Sequence, residues 1–372
     1  MGNAAGRGPG LLIGRVLGVP VYVSWSWPIV ALVITFVFRE PAGQVASGAG
    51  AVAVAFSYAV LLYASVLVHE ISHAAVARAF GLPVRSIVLH VLGGVTQIDR
   101  ESRSPGRSFL VAAAGPAMSL LLGLAGLAVL ALTDLPPVPD LLVQALTVAN
   151  LIVGVFNLLP GLPLDGGYLV RAVVWKITGR DRDGTIAAAH VGRVLAIGLL
   201  VAGTWLATRG APGTNWIMVA WAAFLASFIW IGATQAIRVE RVRDRIPLLH
   251  ARRIGRRAVA VPGETPLARA LEIAREAQAG AVVIVGHDGT PTGLVSEAAV
   301  HAVPEARSPW TSAADVARTL GADSTIDADL SGEDLIVAVR RAAAGELLLL
   351  ETTGEIYGVL AAADVDRLLS RA

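Results

Sequence analysis

An uncharged run from Pro41 to Val68 limits the possible folds of this chain more than any other feature. About 20 apolar residues suffice for a helix to cross a bilayer, so this run is long enough to span one. Comparable runs recur along a chain that is 55% hydrophobic and only 16% charged. This composition excludes an ordinary soluble protein and indicates a polytopic α-helical membrane protein. We predict six transmembrane helices, at residues 16–38, 51–80, 108–133, 141–164, about 190–208 and 211–237.

Basic residues are distributed unevenly between the loops that join the predicted helices. Clusters follow the second and fourth helices, whereas the loops after the other helices up to the fifth carry only Arg39 and Arg209. Because cytoplasmic loops are enriched in Lys and Arg, this asymmetry predicts that both termini are cytoplasmic. We expect a multi-pass protein of the plasma membrane. The clustered residues are Arg85, Arg100, Arg103, Arg107, Arg171, Lys176, Arg180 and Arg182.

The second predicted helix carries the sequence His69-Glu70-Ile71-Ser72-His73. Residues four apart share one face of a helix, so the two imidazoles lie one turn apart. In the HExxH pattern such a pair binds Zn²⁺ and the Glu acts as a general base. The pattern also arises by chance on solvated helices, but ionisable groups inside a bilayer are costly and usually mark a site. Since the chain has no cysteine, any metal must be bound by His, Asp or Glu.

The segment from Val84 to Gln97 differs in composition from the apolar helices around it. Its β-branched residues and its Gly93-Gly94 pair indicate two short strands around a turn. Irregular backbone at membrane depth must be buried in protein or line a wet cavity. His90 lies in this segment and is a possible extra metal ligand, although we favour an ordinary loop residue.

A carboxylate, Asp165, follows directly on the long uncharged run of the fourth predicted helix. Pro160 and Pro163 must break that helix, because proline removes a backbone donor and clashes with the preceding turn. The simplest role for Asp165 is to cap the next helix, since Asp is a favoured N-cap residue. The sequence pattern alone leaves this structural role open beside a functional one.

Composition becomes typical of a soluble protein from about residue 246. Residues 267–300 and 334–365 share a helix, a glycine, a buried strand, a glycine turn and a second strand. This is an internal repeat of about 65 residues with an α-β-β-α pattern. We therefore predict two domains, a six-helix membrane domain at 1–245 and a soluble α/β domain at 246–372.

Three motifs in this order and setting resemble the site-2 protease family of intramembrane zinc metalloproteases. They are the His69-to-His73 motif, the Gly93-Gly94 pair and the segment Asn157-Leu158-Leu159-Pro160 with Leu164-Asp165-Gly166-Gly167. The resemblance covers about residues 10–240. The tail repeat resembles a pair of CBS domains, which occur in one branch of this family.

The resemblance implies one zinc ion per chain, with His69, His73 and Asp165 as its ligands and Glu70 as the catalytic residue. It also implies that Asn157 lies near the substrate and that Gly93, Gly94 and Val95 hold an unwound substrate in extended form. Ser119 stands where many relatives carry Asn, so no role is assigned to it. The implied activity is cleavage of transmembrane segments of membrane-anchored regulators such as anti-sigma factors. The alternative is a CBS-regulated transporter or channel that binds metal without proteolysis.

CBS pairs commonly bind adenine nucleotides through a hydroxyl residue and an Asp that hold the ribose. The first repeat keeps Ser296 but has Ala299 at the Asp position, and the second keeps Asp364 but has Ala361 at the hydroxyl position. Each site thus lacks one hydrogen-bonding partner, which costs affinity. We predict weak or absent ATP binding, a role in homodimerisation or docking, and no nucleic-acid partner.

Overall fold

The computed structural model describes residues 10–91, 93–99, 102, 104–209, 215–342 and 345–370. The chain divides into two compact units, Met1–Ile237 and Arg238–Ala372. The domain boundary that we predicted from composition falls slightly later, between residues 245 and 246. Arg100 and Arg103, two of the arginines used to predict the orientation, lie outside the described residues.

The first unit combines long helices with one small sheet. Four strands form this sheet in the order β1-β2-β3-β4, with β2 and β3 parallel and the other neighbours antiparallel. The elements are β1 (Leu11–Val16), β2 (Val19–Val23), α1 (Trp27–Ala42), α2 (Ala49–Ala79), β3 (Val84–His90), β4 (Gly93–Ile98), α3 (Pro105–Leu132), α4 (Pro137–Asn157), α5 (Asp165–Thr178), α6 (Asp181–Arg209) and α7 (Asn215–Arg245).

Five helices in the described part of the chain are long and apolar enough to cross a membrane, namely α2, α3, α4, α6 and α7. The predicted first span, residues 16–38, is wrong in its first half, because β1 and β2 form a hairpin there. Leu17 and Gly18 both have positive φ, which a two-residue hairpin turn requires. The helix that follows, α1, has only 16 residues and is about 24 Å long.

Strand β2 and helix α1 together run antiparallel to α2. The guanidinium of Arg78, near the end of α2, donates a hydrogen bond to the carbonyl of Leu17, in the turn before β2. Phe38, near the end of α1, stacks on Tyr58 in the first third of α2, with ring centroids 4.0 Å apart. A five-residue strand and a 16-residue helix cover roughly 40 Å, close to the roughly 46 Å of the 31-residue α2. The first apolar segment is therefore a strand followed by a helix.

The four-stranded sheet lies along the C-terminal half of α2. The Tyr63 hydroxyl, in the middle of α2, donates to the carbonyl of His90 at the end of β3, at 3.1 Å. Buried apolar side chains of the sheet pack against the same half of α2, among them Val19, Val21, Ile87 and Leu89. The two predicted strands are confirmed, but Gly93 and Gly94 begin β4 and do not form the break between the strands. Both strands lie beside the part of α2 that carries the two histidines.

Small residues line the inner faces of the membrane helices, and large apolar residues lie outside. The buried positions of α2 include Ala51, Ala55 and Ala59, one turn apart along a single face. Such residues let helix backbones approach closely, which stabilises helix pairs in lipid. Phe36 and Leu132 are 75% and 81% exposed, as expected for side chains that face lipid. Exposed large apolar side chains, which are unfavourable in water, thus fit the membrane assignment of this unit.

The second unit consists of two similar repeats on a seven-stranded sheet of order β8-β7-β6-β5-β11-β10-β9. Helices α9 and α11 start 65 residues apart, as do β6 and β10, and the predicted repeat is confirmed. The elements are α8 (Ala251–Ile254), β5 (Arg256–Pro262), α9 (Leu267–Glu276), β6 (Ala281–Val285), β7 (Pro291–Val295), α10 (Glu297–Ala302), β8 (Ala317–Thr319), β9 (Thr325–Asp327), α11 (Gly332–Arg341), β10 (Glu346–Leu350), β11 (Ile356–Ala361) and α12 (Ala362–Ser370).

Candidate metal centre and active site

Helix α2 places His69 and His73 one turn apart, on a face that is buried in the protein. His69 and His73 are 5% and 8% exposed, and the centroids of their rings lie 4.9 Å apart. Their Nε2 atoms approach to 3.2 Å. The predicted helical spacing is confirmed, and the two imidazoles point at one common position.

Asp165, at the start of α5, joins the two histidines. Its Oδ2 lies 3.2 Å from Nε2 of His69 and 3.4 Å from Nε2 of His73. Leu164 occupies the N-cap position of α5, without a side-chain capping hydrogen bond, and Asp165 is the first residue of the helix. The Asp165 carboxylate is therefore directed at the histidines, where a capping residue would turn to its own helix.

The remaining ring nitrogens of both histidines are hydrogen-bonded to helix α3. Nδ1 of His73 lies 2.7 Å from the carbonyl oxygen of Val111, and Nδ1 of His69 lies 2.9 Å from the hydroxyl of the buried Ser119. A carbonyl only accepts, so Nδ1 of His73 donates, and in the neutral ring its Nε2 carries a lone pair. Hydrogen bonds of this kind commonly fix the orientation of histidines that bind a metal.

The donor set fits a divalent cation such as zinc. Three electron-pair donors converge, and their separations of 3.2, 3.2 and 3.4 Å match the edge of about 3.3 Å in a tetrahedron with zinc bonds of 2.0–2.1 Å. In the part of the chain that the structure describes, His69, His73 and Asp165 form the one group of this kind. Without a cation or a proton between them, their lone pairs would repel.

Helix α3 passes close to the two histidines at Gly115, which has no side chain. A Cβ atom on Gly115 would lie 2.2 Å from Nε2 of His73 and 2.5 Å from Nε2 of His69. Real Cβ atoms essentially never lie so close to other atoms, so Gly115 leaves the space that the converging nitrogens occupy.

Glu70, next to His69 in the sequence, is held by strand β4. Glu70 is 6% exposed, and its Oε2 accepts a hydrogen bond of 2.7 Å from the hydroxyl of Thr96. Gly94 on the same strand lies so close that a Cβ there would come within 2.3 Å of Glu70 Cγ. The carboxylate thus lies beside the His69, His73 and Asp165 group without being part of it, as a general base requires.

Comparison with known proteins shows which family shares these features. The family model described as Peptidase family M50 matches residues 57–140 and 138–199. Rip3 of Mycobacterium tuberculosis is 33% identical over 96% of this chain and 92% of its own length. The chain belongs to peptidase family M50. It is a zinc metalloprotease of the site-2 protease type, as the sequence motifs implied.

Two solved structures are each similar to this M50 peptidase over part of its length. The site-2 protease from Methanocaldococcus jannaschii is 28% identical, covers 61% of this chain and 94% of its own, and has a TM-score of 0.42. The CBS domain of a bacterial CNNM/CorC family Mg²⁺ transporter is 15% identical, covers 36% of this chain and 84% of its own, and has a TM-score of 0.28.

A cavity of about 350 Å³ in this M50 peptidase opens beside the group formed by His69, His73 and Asp165. Gly94 and Val95, both predicted to hold the substrate, line the cavity, whereas Gly93 and Asn157 do not. His90 is exposed at the end of β3 and does not join the metal-binding group. The lining includes Glu70, His73, Asp165, Gly94, Val95, Thr96, Tyr168 and Arg171.

Sequence reasoning missed four residues that shape the site. Ser119 orients His69, Gly115 makes room for both histidines, and Thr96 bonds Glu70. Arg171 is buried against the cavity and makes a bidentate ion pair with Asp181, at 2.7 and 2.6 Å, although it counted above as a loop arginine. Tyr168 is three residues from both Asp165 and Arg171, so helical spacing could have indicated that Tyr168 neighbours each of them, but not that Arg171 lies beside the cavity.

Proposed function

We propose that this protease cleaves transmembrane segments of membrane-anchored regulators, and that anti-sigma-factor-like proteins are its substrate class. The observation that carries the proposal is that the group formed by His69, His73, Asp165 and Glu70 lies well inside the length of α2, a helix long and apolar enough to cross a membrane. His69 precedes the end of the membrane helix α2 at Ala79 by ten residues, which corresponds to about 15 Å. Peptide bonds at that depth belong to segments within the bilayer.

His69, His73 and Asp165 are the proposed ligands of the zinc ion. Bound zinc supplies a Lewis acid that makes water nucleophilic at neutral pH and polarises the scissile carbonyl. Glu70 accepts the proton of the attacking water and passes it to the leaving amine. Because Glu70 is hydrogen-bonded to Thr96 and is not among the three converging donors, it remains available for this proton transfer.

The substrate must be unwound, because hydrogen bonds within a helix shield its carbonyl groups. Strand β4 is the last strand of its sheet among the described residues, and its Gly94 and Val95 line the cavity. An extended segment can add to such an edge by backbone hydrogen bonding. We assign Gly93, Gly94 and Val95 to this role. Asn157, at the end of α4, remains a further proposed contact of the substrate.

The proposed orientation has both termini in the cytoplasm. Leu17 and Arg78 are hydrogen-bonded, so the turn before β2 and the end of α2 lie at the same level. We infer that β2 and α1 together make one further crossing, antiparallel to α2. Together with the five long helices this gives six crossings, an even number. The basic residues after α2 and α4 then lie on the cytoplasmic side, in agreement with the positive-inside rule.

The CBS pair is proposed to act in dimerisation or docking and to bind adenine nucleotides weakly or not at all. The two polar side chains that remain of the nucleotide motif already have partners within the protein. The Ser296 hydroxyl caps α10 by accepting from the amide of Ala299, at 3.4 Å, and Asp364 lies 3.3 Å from the guanidinium of Arg367. Binding a ribose would have to compete with these contacts.

A non-proteolytic metal-binding transporter is disfavoured by Glu70. A site that only binds an ion has no need of a buried carboxylate that stands beside the ligands and is held by Thr96.

A synthetic transmembrane peptide tests the proposed activity. This reporter peptide has about 20 apolar residues, a central Asn-Gly pair that weakens its helix, and a fluorophore and quencher at its ends. In nanodiscs, the zinc-loaded protein should cleave it, a chelator should abolish cleavage, and added zinc should restore it. A protein that holds zinc and leaves the peptide intact would contradict intramembrane cleavage.

A further inference from the structure

We propose that Thr96 is a positioning residue for Glu70, so that the strand that receives the substrate also fixes the general base. The inference rests on the proposed function and adds a residue to it. Thr96 lies in the middle of β4, paired with Ile87 of β3. Strand β4 would therefore pair with the substrate and also position the general base.

The hydrogen bond between Thr96 and Glu70 is the first observation. The Thr96 hydroxyl is 2.7 Å from Glu70 Oε2 and 3.1 Å from the Glu70 carbonyl oxygen. A hydroxyl has one proton to donate, and hydrogen bonds to an ionised acceptor are shorter and stronger than neutral ones. The shorter contact therefore identifies the carboxylate as the main acceptor.

Alternation along β4 is the second observation. Val95 and Gln97 are exposed, whereas Gly94 and Thr96 are less exposed and both contact Glu70. Side chains two apart in a strand share one face, so Gly94 and Thr96 face α2 together. Gly94 leaves room for Glu70 Cγ, and Thr96 bonds its carboxylate. This pair holds the flexible side chain of Glu70 in one place.

The contact matters for catalysis because, among the described residues, no further strand pairs with the outer edge of β4. A segment paired to that edge takes a fixed register relative to Thr96, and hence relative to Glu70. Since Thr96 contacts Glu70 through its side chain, whereas the substrate would pair through the backbone of β4, loss of the hydroxyl should slow the chemical step and leave binding intact. The effect should appear in kcat and not in KM.

Three variants of the full chain in nanodiscs test this inference with the reporter peptide. Thr96→Val removes the hydroxyl but keeps the shape, and Thr96→Ser restores it. The control, Thr133→Val, makes the same change at the exposed end of α3, where the hydroxyl bonds only the carbonyl of Val129. Bound zinc, kcat and KM are measured for each variant.

Thr96→Val should lower kcat about 10- to 100-fold, the loss typical of a hydrogen bond to a charged group. KM and bound zinc should stay at the wild-type values, and Thr96→Ser and Thr133→Val should resemble the wild type. A Thr96→Val protein with wild-type kcat would overturn the inference, as would loss of zinc or a Thr96→Ser protein as slow as Thr96→Val. A zinc-loaded wild type that leaves the peptide intact would overturn the proposed function itself.

Discussion

A single methyl group at Gly115 should disrupt the metal centre. Gly115→Ala places a Cβ atom 2.2 Å from Nε2 of His73 and 2.5 Å from Nε2 of His69. Both rings are fixed on their far sides, by the carbonyl of Val111 and the hydroxyl of Ser119. The histidines can make room only by giving up these hydrogen bonds or by moving with their helix.

The size of the effect follows from these distances. Each Nε2 atom must recede by about 1 Å to reach an ordinary contact of 3.4 Å. Zinc sites tolerate deviations of only about 0.2 Å in ligand distance, and loss of one orienting hydrogen bond alone typically costs 10- to 100-fold in metal affinity. We therefore expect Gly115→Ala to bind zinc at least about 100-fold more weakly. Overpacking should cost about 1–3 kcal/mol of stability, which most folds survive.

Zinc affinity is measured by competition with a chelator, and thermal unfolding shows whether the fold persists. Gly198→Ala is the matched control, because Gly198 also lies in a membrane helix and its added Cβ would meet no atom within 4 Å. The control should keep wild-type zinc affinity. If folded Gly115→Ala protein binds zinc as tightly as the wild type, the histidines do not converge as described.

Three further predictions concern the third ligand, the tail and the orientation. Asp165→Asn should lower zinc occupancy with little loss of thermal stability, since Asp165 does not cap its helix; full occupancy would show that it is not a ligand. Calorimetry of the full chain with ATP and AMP should show no micromolar binding, and such binding would mean that Ser296 and Asp364 suffice. Reporter fusions at Asp134 and after Arg257 should report opposite sides of the membrane, and the same side for both would refute six crossings.

The sequence motifs predicted that His69 and His73 come together, because their spacing is local. The helical spacing of His69 and His73 fixes their shared face, and the apolar run before them fixes their membrane setting. Asp165 could be linked to them only by resemblance, because no periodicity connects residues almost a hundred positions apart. The sequence pattern left open whether Asp165 caps its helix or contacts the histidines. In the structure, its Oδ2 lies 3.2 and 3.4 Å from the Nε2 atoms of His69 and His73.

Other features depended on packing that the sequence pattern does not encode. The segment before Trp27 is as apolar as a membrane helix, yet the turn at Leu17 and Gly18 folds it into a hairpin that pairs with β3. Ser119, Thr96 and Gly115 act through contacts across helices and strands, so neither composition nor spacing distinguishes them from ordinary core residues. Arg171 was counted for its charge, and its burial beside Asp181 became visible only in the fold.

The most direct test of the central claim compares Glu70→Gln with the wild type in bound zinc and in cleavage of the reporter peptide. Equal zinc is expected in both proteins, because the three proposed ligands are untouched. Cleavage by Glu70→Gln should be slower by about 100- to 10,000-fold, the usual contribution of a general acid–base residue. Wild-type turnover by zinc-loaded Glu70→Gln would contradict the assignment of Glu70, and with it the proposed chemistry of the site.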